Sequence, residues 1–156
     1  MEDKLFSLWP VNILQRVYSN HAQDKNNLLK FIKDYKRENP LGRSGSENSN
    51  LYESKYDLIK YIENNETLKK LVMFIGQGFK DVAYHTNIEA WEAKNIKPSN
   101  ISTHVKAMWF IDYKESGFVF PHVHSGCSWS MVYYLSTSKE KEGDPFAGTH
   151  SFSPFN

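Results

Sequence analysis

Apolar positions in this chain follow two periods, and the change between them falls near residue 100. In the first part the period is helical. Leu28, Leu29, Phe31, Ile32 and Tyr35 contain the i, i+3, i+4, i+7 set, and Lys30, Lys33, Asp34 and Lys36 fill the opposite face. This predicts a helix over 24–37, with Asp24 capping its start and Asn39-Pro40 ending it. Its lysines read as a solvated helix face. A longer periodic run covers Glu66 to Lys94, with Leu68, Leu71, Val72, Ile75, Phe79, Val82, Ala83, Thr86 and Ala90 on one face. One helix of that span would be about 40 Å long at ~1.5 Å per residue. Gly76 and Gly78 weaken its middle, and mark either close packing or a kink. Such a helix would brace one face of a sheet. A short helix is expected over 55–63, and residues 40–50 form a polar loop.

From Ile101 the period becomes two. Residues 102–113 alternate, Lys114 to Gly117 make a turn, and 118–124 and 129–136 read as two further strands. A charged connection follows at 138–145, and 148–152 is one last short strand. Residues 4–18 are branched and aromatic, with Pro10 forcing an edge position or a break. The whole reads as one α+β domain, 1–156. Residues 1–98 are its mainly helical half with an N-terminal strand, and 99–156 its β half.

Composition narrows the function classes. A chain of 156 residues supports one core. Ten Phe, nine Tyr and four Trp supply much of its buried area. The formal net charge of +1 shows no basic excess of the kind a nucleic-acid binder carries. The single Cys127 excludes an internal disulfide. The start, Met1 to Phe6, lacks the basic and apolar regions of a signal peptide. No apolar run approaches the ~20 residues of a membrane span. A cytoplasmic protein is expected.

The chemistry concentrates at His122-Val-His124. Residues i and i+2 of a strand share a face, so both imidazoles would project side by side. Two neutral imidazoles form a half-site for Fe, Zn, Cu or Ni. The plainer alternative is two surface histidines on a sheet. Phe118, Phe120 and Pro121 before the pair, and Trp129, Val132, Tyr133 and Tyr134 after it, favour a partly buried site. Cys127 is read first as a small buried residue, and second as the thiolate of a zinc-type set. His85 lies alone on the long helix and receives no role.

The order Trp109, Tyr113, Gly117, His122-x-His124, Trp129-Ser130, Val132-Tyr133-Tyr134-Leu135 resembles the 2-oxoglutarate/Fe(II)-dependent oxygenases found in marine phages and bacteria. Leu5 to Val11 is similar to that family's opening strand. The resemblance implies a double-stranded β-helix, or jelly-roll, with helices on one side, and Fe(II) and 2-oxoglutarate as cofactors. It places His122 as first metal ligand. His124 stands where the superfamily has a carboxylate, and His150 is the remaining ligand candidate. Apart from the resemblance, Tyr113 and Tyr133 are read as candidates to line a cofactor pocket beside the metal, against the commoner alternative that aromatics on adjacent strands are plain core. The chain departs from the pattern beyond the motif. No Arg follows Arg43, and Lys139 and Lys141 sit in a charged turn. About five strands are counted against the roughly eight that bury both sheets of a jelly roll. A C-terminally incomplete barrel is therefore expected, with a homodimer or partner chain covering its open sheet edges. The substrate is unassigned. The alternatives are a cupin-like metal protein without 2-oxoglutarate, and a non-catalytic binding or assembly module.

Overall fold

The computed structural model describes residues 12–43, 50–120 and 122–137. Of the sequence expectations, most of the N-terminal strand, the 138–145 connection, the 148–152 strand and His150 lie outside them. In order, the elements are α1 (His21–Glu38), β1 (Leu51–Glu53), a 3-10 turn (Leu58–Tyr61), α2 (Glu66–Thr86), α3 (Ile88–Ala93), a second 3-10 turn (Pro98–Asn100) and β2 (Ile111–Tyr113). The α+β class stands. β1 and β2 pair antiparallel with Tyr52 opposite Asp112. The ladder thus ties the two halves of the chain together.

α1 starts three residues earlier than the periodicity indicates, with Asn20 at the N-cap position. Asp24 is not the cap. It lies in the first turn, where the helix dipole favours an anion, and is buried under the Tyr18 hydroxyl, which donates to its Oδ2 at 2.6 Å. Burial, then Asp24, pushes the Tyr18 phenol up to about 12. Tyr35 donates to Asp57 Oδ1 at 3.0 Å and is raised to about 12 in the same way. A phenol raised above its ordinary value of 10.0 stabilises the fold fully below that pH and loses the contribution as pH climbs through about 12. Tyr18→Phe is expected to flatten, in part, the fall of Tm between pH 10 and 12, with Tyr35 supplying the remainder.

Asn65 caps α2, its Oδ1 accepting from the Leu68 N–H at 2.9 Å. Leu68, Leu71 and Ile75 then enter the core with Tyr18 and Leu28, as the helical period requires. The single long helix expected over 66–94 is two helices, and the break is at Asn87 rather than at the glycines. The Asn87 side chain donates to the Ala83 carbonyl at 3.2 Å, and the Trp91 indole donates to the same oxygen at 3.1 Å. Side chains that claim a backbone acceptor compete with continuation of the helix.

The glycines serve packing. Thr103 Oγ1 donates to the Gly76 carbonyl at 3.0 Å, and a methyl at Gly78 would lie 3.6 Å from the end of Met131. A methyl at Gly76 would lie 3.7 Å from Thr103 Oγ1, an ordinary contact. Gly76→Ala is therefore expected to stabilise the fold by about 0.5–1 kcal/mol through helix propensity, read as a higher urea midpoint at constant slope.

The strands expected over 118–124 and 129–136 are a correction. Among the described residues neither segment joins a ladder, and of 102–113 only Ile111–Tyr113 does. The described sheet has two strands and draws no jelly roll. The two-residue period nevertheless sorts the side chains. Trp129, Met131, Tyr133 and Leu135 are half-buried while Ser130, Val132 and Tyr134 are exposed. Met131, Tyr133 and Leu135 pack on the helical core. In 129–135 this burial, with the Tyr133 hydroxyl 2.7 Å from His21 Nδ1, fixes the segment against the helices. Ser54 extends the β1–β2 pairing by one position. Its N–H donates to the Phe110 carbonyl and its buried Oγ accepts from the Phe110 N–H, both at 3.0 Å. None of the described helices is long and apolar enough to cross a membrane.

Candidate metal centre

The chain reaches the histidines through a tight turn. Gly117 N–H donates to the Lys114 carbonyl at 2.9 Å, and Ser116 takes a left-handed φ of 60°. Phe118 and Phe120 follow, exposed and edge to face at 4.9 Å. The rings of His122 and His124 then stand 4.7 Å apart at 76° to one another. His122 Nδ1 lies 2.9 Å from the Phe120 carbonyl. A carbonyl only accepts, so Nδ1 carries the proton, and in the neutral ring the Nε2 lone pair is left for a ligand. Desolvation, then the neighbouring His122, holds the His124 imidazole below its ordinary value. Both effects favour the neutral form that binds metal.

The turn after the pair is held from outside and from within. Gly126 has a left-handed φ of 74°. Lys106 Nζ donates to the Gly126 carbonyl at 2.6 Å, and the Cys127 thiol donates to the His124 carbonyl at 3.4 Å. Cys127 is exposed, not the small buried residue expected. Its thiol is engaged with backbone and does not join the imidazoles. Behind His124 stands Trp109, with ring centroids 5.6 Å apart. Tyr56 packs on Trp109 at 4.5 Å, and the Arg43 guanidinium lies 4.4 Å above the Tyr56 ring.

The structure places the His122 and His124 rings side by side, without the strand on which the i, i+2 expectation rested. Tyr133 is turned onto α1 instead. Its hydroxyl lies 2.7 Å from His21 Nδ1 and its ring meets Tyr18 edge-on at 5.9 Å. Tyr113 lies in β2, 50% exposed, its phenol raised by partial burial and then by Tyr134 and Glu53. His150 is outside the described residues. Among the described residues no group of three or more His, Cys, Asp or Glu converges on a metal position. The contacts of Lys106, Trp109 and Tyr56 with this region escape the sequence reading. Trp109 alone stood in the motif, and nothing in the spacing ties it to His124.

Two neighbouring imidazoles, one with its Nε2 lone pair left free by the Nδ1 contact, have the donor chemistry of a half-site for a divalent transition metal. For a dicarboxylate the described cation at the motif is Lys106, whose ammonium retains donors beyond the one given to Gly126. No protein-family model, curated protein or solved structure matches this chain.

Proposed function

We propose that this chain is a metal protein of the 2-oxoglutarate/Fe(II) oxygenase type. The observation that carries the reading is the His122–His124 pair, 4.7 Å apart, with His122 Nδ1 tied to a backbone carbonyl. His122 and His124 hold the iron through imidazole nitrogen, and His150 is the further ligand. Lys106 meets a carboxylate of 2-oxoglutarate. Bound Fe(II) and 2-oxoglutarate supply oxidative decarboxylation coupled to hydroxylation of a substrate. The protein's own share is to fix the two rings and to shield one side of the centre with Trp109.

The architecture belonging to this reading is a partial double-stranded β-helix with helices on one side. A second copy or a partner chain covers the open sheet edges of such a barrel. A cytoplasmic setting goes with it, since one unpaired cysteine suits a reducing compartment. The test is succinate formation from 2-oxoglutarate by the full chain with Fe(II) and dioxygen. Succinate that disappears in Lys106→Ala supports the reading. Metal binding without any succinate favours the cupin-like alternative.

A further inference from the structure

We draw no further inference here: the strongest candidate, the exposed apolar surface around the histidine motif at Phe118, Phe120, Val123, Val132 and Tyr134, carries nothing because nothing in the structure shows what covers it.

Discussion

His122→Ala is expected to abolish measurable Fe(II) binding while leaving the fold intact. The ring is exposed, and its one described hydrogen bond is to the carbonyl of Phe120, two residues away. Little stability is therefore at stake. The loss falls on the metal. With His122 removed, His124 alone remains of the described imidazole pair, and a single imidazole holds a divalent ion weakly. Competition against a chromophoric chelator measures the affinity, and thermal denaturation checks that Tm moves little. His124→Ala should behave alike. Trp109→Phe should cost less, because it removes part of a flanking ring and no donor atom. An unchanged affinity in His122→Ala would place the metal elsewhere.

The largest effect on stability is expected at Leu68. Its side chain is 2% exposed, at the first turn of α2, where the helix meets Tyr18 and Leu28. Leu68→Ala removes buried carbon and leaves a cavity that half-buried neighbours close only in part, at a cost of about 2–5 kcal/mol. For a core this small that is a large share of the ~5–15 kcal/mol typical of a domain. Urea unfolding followed by circular dichroism measures it. A cost below about 1 kcal/mol would show that α2 does not anchor the core.

Both α1 and most of α2 were legible because their apolar period is local. The end of α2 was not, because Ala90 continues the pattern beyond Asn87. What stops the helix is the pair of side chains on the Ala83 carbonyl, a contact that no period records. Asp24 looked like a cap by type. The structure uses it one turn in, against Tyr18. In the β half, Met131, Tyr133 and Leu135 lie two residues apart and pack on the helical core, whereas the sequence reading placed Tyr133 in the cofactor pocket. Alternation could not supply strand partners, since pairing depends on segments distant in the chain, as Leu51–Glu53 and Ile111–Tyr113 illustrate. The same limit applies to the site. The His122–His124 juxtaposition follows from adjacent positions and was legible. The approach of Tyr56 to Trp109, and of Lys106 to Gly126, depends on tertiary packing and was not.

Anaerobic titration calorimetry of the wild-type chain with Fe(II), with and without 2-oxoglutarate, tests the metal reading most directly. The account predicts one iron per chain, bound more tightly when 2-oxoglutarate is present, with the heat lost in His122→Ala. The absence of Fe(II) binding to the wild-type chain would contradict it and leave a binding or assembly module.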